Sequence, residues 1–600
     1  MFVTPLCWRA LPWGAFSLVV TLMATGCEDT PTRQLPTDGG VDAPDTCPFD
    51  APALCDGDRL VQCLPDGASS VRDCTLEGLR CADGLGCTKC VPGSLECRDG
   101  VQPLQCRADG SGFDEVAVCD TAAGTVCSEG RGCIAAAELC RAAGEDSSYI
   151  GCEYWPTVTL NNLLGVVDSA APPDIAEFRF AVAIGNPQPV PALVTITRDG
   201  AAVTTATIAP SSTETIELDW VESLRAPRRA GSALVRGGAY KLTSSVPVTA
   251  FQFNALQFRI ESDPPRFSYS NDASLLFPTQ ALRCAPRTPC RFVAVTASAL
   301  PVSPSFVSVT ATGAVDINVT VRPSVAVRPS TEDDEVVRVP TIAARETATF
   351  VLRPGDVLSL AAASGDMTGT SVVVDGPASV ISGNGCANVP GNTVTACDHV
   401  EESLPPVSAW GTRYLVRRTR PAINEPNQLR IVAAFDATEV MYGPGRAPDL
   451  LQAGEFIAFP LRADTIAISA NKPILVAQFL VGQSYSELAG QAPAPYGDPS
   501  MSIVAPAVQF RRNYVFLTPA SYDRNAVAIV ARAGTSIVLD GVDVALTASE
   551  GLASTDVSLA AGFHVIRGDQ PFGIQVYSLA DYTSYMYPGG LNLSEVVFLE

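Results

Sequence analysis

Fourteen cysteines crowd into residues 47–152 with a spacing that repeats, and this restricts the possible fold more than any other feature of the chain. The first set is Cys47, Cys55, Cys63, Cys74, Cys81 and Cys87; the second is Cys90, Cys97, Cys106, Cys119, Cys127 and Cys133. Gaps of 7, 7, 10, 6 and 5 residues in one set answer 6, 8, 12, 7 and 5 in the other, and "CDGDRLVQCLPDG" matches "CRDGVQPLQCRADG". A unit of roughly 43 residues builds too small an apolar core to stand alone and relies on disulfides instead. The spacing therefore predicts a disulfide-rich region over 47–152 with two six-cysteine units, 47–87 and 90–133. Connectivity within each unit stays open. Cys140 and Cys152 are left to pair with each other. Cys87 and Cys90 have the CxxC spacing of a zinc site, but no histidine precedes His399 and the two fall at the seam between units. Disulfides are the expectation there, with no metal.

The same chemistry requires an oxidising compartment, and the N-terminus supplies an address. Arg9 is followed by an apolar run from Trp13 to Met23, too short for the about 20 residues of a membrane span, and then by Ala24-Thr25-Gly26. Residues 1–26 read as an export signal. Outside Cys7 and Cys27, the remaining cysteines fall into groups of six, six, two, two and two, so Cys27 is left over. Ala24-Thr25-Gly26-Cys27 then reads as a lipobox, with Cys27 the lipid acceptor and 27–46, rich in Pro, Asp, Thr and Gly, a disordered tether. Two or more acyl chains hold a protein stably on a membrane. Glu28 and Asp29 give no clear inner-membrane retention signal, so the expected location is the outer membrane, exposed at the cell surface. A net charge of −23 leaves no basic footprint for nucleic acid.

Beyond residue 153 cysteine nearly vanishes and the pattern becomes β. "ALVTITRDGAAVTTATI" (192–208) and "TSIVLDGVDVAL" (535–546) carry β-branched residues on either side of Asp-Gly, a hairpin signal. Four segments share a strand, a polar turn, a proline and a second strand: 240–253, 370–383, 465–479 and 564–577, with Pro247, Pro377, Pro473 and Pro571. Opening strands precede them, so about four units are expected within 153–600, starting near 177, 291, 413 and 513. Two small cysteine pairs, Cys284 with Cys290 and Cys386 with Cys397, are expected to staple the joints. The predicted fold class is mainly β, as tandem β-sandwich-like repeat units behind a small disulfide-rich region. The units are either beads or one packed body, and the short connectors favour packing.

Candidates for chemistry are few. Of two histidines, His564 reads as an ordinary strand residue, and His399 sits in "ACDHVEESLPP", which reads as a solvated acidic connector. No GxSxG, HExxH or P-loop pattern is present. Arg417, Arg418 and Arg420, beside Tyr414 and Trp410, read as a solvated strand face rather than an anion site. The expectation is no enzyme, no catalytic residue and no cofactor. The alternatives are an envelope hydrolase using His399 or His564, or a purely structural envelope component.

The β region resembles the IgGFc-binding protein N-terminal family through "PPVSAWGTRYLV" (405–416), "DTIAISANKPILVAQFLVG" (464–482), "APAVQFRRNYVFLTPASY" (505–522) and "LAAGFHVIRGDQPFGIQVYSLADYTSYMYPGG" (559–590). The resemblance covers residues 290–595 well and 155–290 more loosely. It implies a β-rich, non-enzymatic extracellular binding or adhesion module, without a residue set for Fc contact. The disulfide-rich front lies outside it. The expected function is a lipid-anchored cell-surface binding or adhesion protein. Its expected partners are the membrane, through the anchor, and an extracellular protein or polysaccharide.

Overall fold

The structure, a computed structural model, describes residues 54–594 except 57–58, 64–68, 75–78, 99, 146, 165–176, 262–264, 284–287, 299, 301, 332–335, 420–424, 444–445, 486–495 and 550. The export signal, Cys27, the tether, Cys47, Cys284 and Arg420 lie outside the described residues, as does the side chain of Cys63. Among the described residues no helix is long and apolar enough to cross a membrane.

The two cysteine-rich units share one plan. Leu54–Asp56, Arg59–Cys63 and Ser69–Asp73 form a three-stranded meander followed by the hairpin Arg80–Ala82/Gly86–Thr88. Leu95–Arg98, Gln102–Cys106 and Phe113–Glu115, followed by Thr125–Ser128/Gly132–Ala135, repeat it. Disulfides join Cys55 to Cys81 and Cys74 to Cys87 in the first. Cys90–Cys106, Cys97–Cys127 and Cys119–Cys133 are the bonds of the second. The second cysteine thus meets the fifth, and the fourth the sixth, in both. Cys87 and Cys90 bond within their own units. Cys140–Cys152 follows, and Cys140 sits against the carbonyl of Ser244 in the β region.

The β region is built on a seven-strand plan used four times. Each repeat turns on one long strand: Tyr240–Asn254; Ser371–Val374 continuing as Ala378–Ala387; Thr465–Leu480; and Gly562–Ala580. Its first half pairs with an opening strand and an inner strand, and the inner strand pairs with an edge strand. Its second half pairs with a second strand and a closing strand. The changeover falls at Pro247, Pro377, Pro473 and Pro571. Proline has no N–H to give to a ladder, so it is tolerated where one sheet ends and the other begins. The two Asp-Gly hairpins join inner to edge strand in the first and fourth repeats. Asp199-Gly200 and Asp540-Gly541 all have positive φ, as a two-residue hairpin turn of this hand requires.

The first repeat opens earlier than the sequence suggests. Phe180–Asn186 takes the place of the second strand, like Ser305–Ala311, Asn427–Ala433 and Arg524–Arg532. The opening strand is Gly151–Tyr154, equivalent to Cys290–Val293, Gly411–Arg417 and Arg511–Thr518. In three repeats the long strand bulges at its proline where it pairs with this strand, and a tyrosine closes the gap. The Tyr154 hydroxyl accepts the Gly151 N–H (2.8 Å) and donates to Val248 O (2.6 Å). Tyr414 accepts from Gly411 and donates to Ile474 O, and Tyr514 accepts from Arg511 and donates to Phe572 O. Each carbonyl belongs to the residue after the proline. The second repeat has Phe292 at the equivalent register.

The repeats form one packed body. A single buried cluster includes Phe251, Phe292, Trp410, Tyr514 and Tyr587, drawn from all four. Closing strands Asp272–Leu275, Asp398–Ser403, Ser500–Ile503 and Thr583–Pro588 contact one another in cyclic order, the last returning to the first. The circle is tied where Leu593 N donates to Ser147 O (2.8 Å) and the Tyr149 hydroxyl meets Val515. Successive repeats are also bridged by Arg236–Asp356, Arg430–Asp366 and Arg417–Asp556.

Candidate functional site

Both histidines are committed to structure. His564 lies on the long strand of the fourth repeat. Its Nδ1 is 2.7 Å from Asp540 and its Nε2 3.1 Å from Thr518 Oγ1, which resembles a carboxylate–imidazole–hydroxyl relay. The hydroxyl, however, donates to Ala560 O (2.7 Å), and Nε2 lies 3.0 Å from that same carbonyl, an acceptor only. The nucleophile's proton therefore points away from the imidazole, and the group works as a clamp between strands.

His399 is fully buried, together with Asp398, Glu401 and Glu402. The solvated acidic connector expected at this stretch is overturned. Asp398–Ser403 is a closing strand enclosed by the neighbouring repeats, and Asp398 and Glu402 each accept one backbone N–H from the first repeat. Asp272 accepts the Glu401 N–H (3.0 Å), the Met501 N–H (3.2 Å) and the Ser500 hydroxyl (2.9 Å), bridging three repeats. Asp398 accepts the Asn271 N–H, and Glu402 the Leu275 N–H. Burial pushes the carboxyls of Asp272, Asp398, Glu402 and Asp498 well above the usual carboxylate range, and nearby acids add to this for Asp398. Glu401 is the exception. Burial raises it, but His399 and hydrogen bonds from Gln252 and Thr159 outweigh that and hold it below its ordinary 4.5. Among the described residues no group of His, Cys, Asp and Glu is placed to hold a metal ion.

The arginine-rich strand is not a solvated face. Arg417 reaches Asp556 and Ser554 of the fourth repeat, and Arg418 bonds Asp464 and the Glu425 carbonyl. Cys386–Cys397 ties the long strand of the second repeat to its closing strand, so it acts within a repeat and not at a joint. Cys290 is disulfide-bonded.

The solvent-facing feature that recurs is the edge strand. Ala201–Ile208, Ala348–Leu352, Asp449–Leu451 and Val542–Asp543 end their sheets in equivalent places. Each turns a large apolar side chain outward: Val203 at 45% exposure, Val351 at 53%, Leu450 at 65% and Val542 at 69%. A sheet edge presents unpaired backbone groups, and apolar side chains beside them favour the addition of another chain's strand. The sequence carries no separate signal for these four residues. They emerge only when the repeats are aligned by strand pairing.

The family model described as IgGFc binding protein matches residues 272–578, from the first closing strand into the last long strand. The IgGFc-binding protein of Homo sapiens is 28% identical over 246 residues, which are 39% of this chain and 4% of that protein's length. This chain therefore corresponds to a small part of that relative. The family match falls on the four-repeat body. The chain belongs to the IgGFc binding protein family.

Proposed function

We propose that this chain is an exported lipoprotein, anchored in the outer membrane through Cys27 and exposed at the cell surface, whose four-repeat body binds an extracellular protein. The observation that carries the binding half is the recurrence of an apolar side chain on all four edge strands, in a family whose named relative is a binding protein. Strand addition draws on backbone groups that any polypeptide offers, and side chains such as Leu450 and Val542 supply the apolar contact. Four sites on one body multiply a weak single contact. The cysteine left over by parity, at the end of an export signal, supports the anchor. The tether and the cross-linked units would then hold the body away from the membrane.

Cell fractionation tests the anchor. Cys27→Ser should move the protein from the membrane to the soluble fraction, and retention in the membrane would overturn that half. For the binding half, glutamate in place of Val203, Val351, Leu450 and Val542 in the full chain should abolish retention of surface proteins. Undiminished retention would overturn it.

A further inference from the structure

Where the disulfide-rich region enters the β body, residues 155–161 run alongside the end of the first long strand. Thr159, Asn161, Asn254, His399 and Glu401 meet there, all with no solvent exposure. The Thr159 hydroxyl donates to Glu401 Oε2. The Asn254 carboxamide lies beside the same hydroxyl, its Nδ2 donating to Thr159 Oγ1 (2.6 Å) and to Glu401 Oε2 (3.3 Å). On its other side, Asn161 Nδ2 donates to Asn254 Oδ1 (3.3 Å). Glu401 is held from behind by His399 Nε2 (3.3 Å), Gln252 Nε2 (2.8 Å) and the Ser274 hydroxyl (3.2 Å). Gln252 is locked to the backbone of Thr157 through both ends of its amide, so it supports the carboxylate and takes no other part.

These are the parts of an acyl-transfer site with nucleophile and acyl donor in one chain: a hydroxyl, a carboxylate on its proton, a carboxamide beside it and an amide N–H on the carboxamide oxygen. The geometry points to a self-formed ester between Thr159 Oγ1 and the side-chain carbonyl carbon of Asn254. In the first step Thr159 Oγ1 adds to that carbon while its proton passes to Glu401. The charge that develops on Oδ1 is met by Asn161 Nδ2–H. In the second step the carbon–Nδ2 bond breaks, the nitrogen takes the proton back from Glu401, and ammonia leaves. One C–O bond forms, one C–N bond breaks, and no oxidant, metal or cofactor enters the balance. Glu401, held below the usual carboxylate range, remains an ionised base at neutral pH. Full burial keeps out the water that would hydrolyse the product, and the fixed contact raises the effective concentration of the hydroxyl. The bond would join the segment that receives the N-terminal region to the long strand of the first repeat, at a place where no disulfide stands.

Peptide mass spectrometry of a protease digest of the purified full chain, reduced and alkylated, tests the assignment. The expected result is one linked peptide containing residues 159 and 254, lighter by one ammonia than its two parts, and split by mild alkali to leave aspartate at position 254. Separate, unmodified peptides from the folded protein would overturn the proposal. Thr159→Val and Glu401→Gln should both abolish the link. Thr159→Ser, which keeps the hydroxyl, should retain it and show that substitution here is tolerated. A folded Glu401→Gln chain that still carries the link would overturn the role of Glu401.

Discussion

Tyr154→Phe removes one oxygen from the dry bend of the first repeat. The hydroxyl accepts the Gly151 N–H at 2.8 Å and donates to Val248 O at 2.6 Å, with Tyr149 O 2.9 Å away. Burial pushes the phenol well above its ordinary 10, so it is a neutral donor throughout the working pH range. Phenylalanine fits the space but leaves a buried N–H and a buried carbonyl without partners. Each such group costs about 1–3 kcal/mol, so partial relaxation leaves a loss of about 2–4 kcal/mol. A body of four coupled repeats need not unfold in two states, so the loss is best read locally, by amide hydrogen exchange. Exchange in Gly151–Tyr154 and Tyr240–Asn254 should accelerate by about 30- to 900-fold. Tyr582→Phe, at an exposed turn residue, should leave exchange unchanged. An increase of less than about threefold for Tyr154→Phe would refute the view that this hydroxyl holds the strand changeover.

Other consequences follow from the same contacts. Asp272, Asp398, Glu402 and Asp498 have folded-state pKa values raised above their unfolded values. The stability they contribute is complete below the ordinary carboxylate range and is lost as pH rises through the folded values. Asp398→Asn, which can still accept the Asn271 N–H, should flatten the decline in urea midpoint on going from acid to alkaline pH. Arg430 meets Asp366 at 2.7 Å in a largely buried pair that also engages Thr368, so Arg430→Met should cost about 3 kcal/mol by leaving Asp366 unpaired. Adding Asp366→Leu should recover part of that in the urea midpoint. Replacing Cys97 and Cys127 together by serine opens a cross-link of sequence separation 30 and should cost about 3 kcal/mol, read as earlier proteolysis of the second cysteine-rich unit.

Much of the fold is legible in the sequence because two residue types leave no choice. Matching cysteine spacing predicts two copies of one unit, and the structure gives each the same meander and hairpin. Four prolines mark the strand changeovers because each lacks an N–H. What the sequence hides is contact between distant parts. The opening strand Gly151–Tyr154 contains Cys152, and the cysteine drew it into the disulfide-rich region, although Gly151 and Tyr154 match Gly411 and Tyr414 in spacing. The run Asp398–Glu402 has the composition of a solvated loop. Its burial depends on closing strands far away in sequence, and backbone N–H groups at the first of them, Asn271 and Leu275, reach Asp398 and Glu402. The hydrogen-bonded cluster around Thr159 and Glu401 is likewise assembled from parts 242 residues apart.

Capture of native surface proteins by the purified full chain tests the central claim most directly. Wild-type protein and the Val203→Glu, Val351→Glu, Leu450→Glu, Val542→Glu variant would be immobilised and exposed to surface-labelled proteins from the producing cells. The account predicts saturable retention of a defined protein by the wild type and its loss in the folded variant. Equal retention by the two, or none by the wild type, would contradict it.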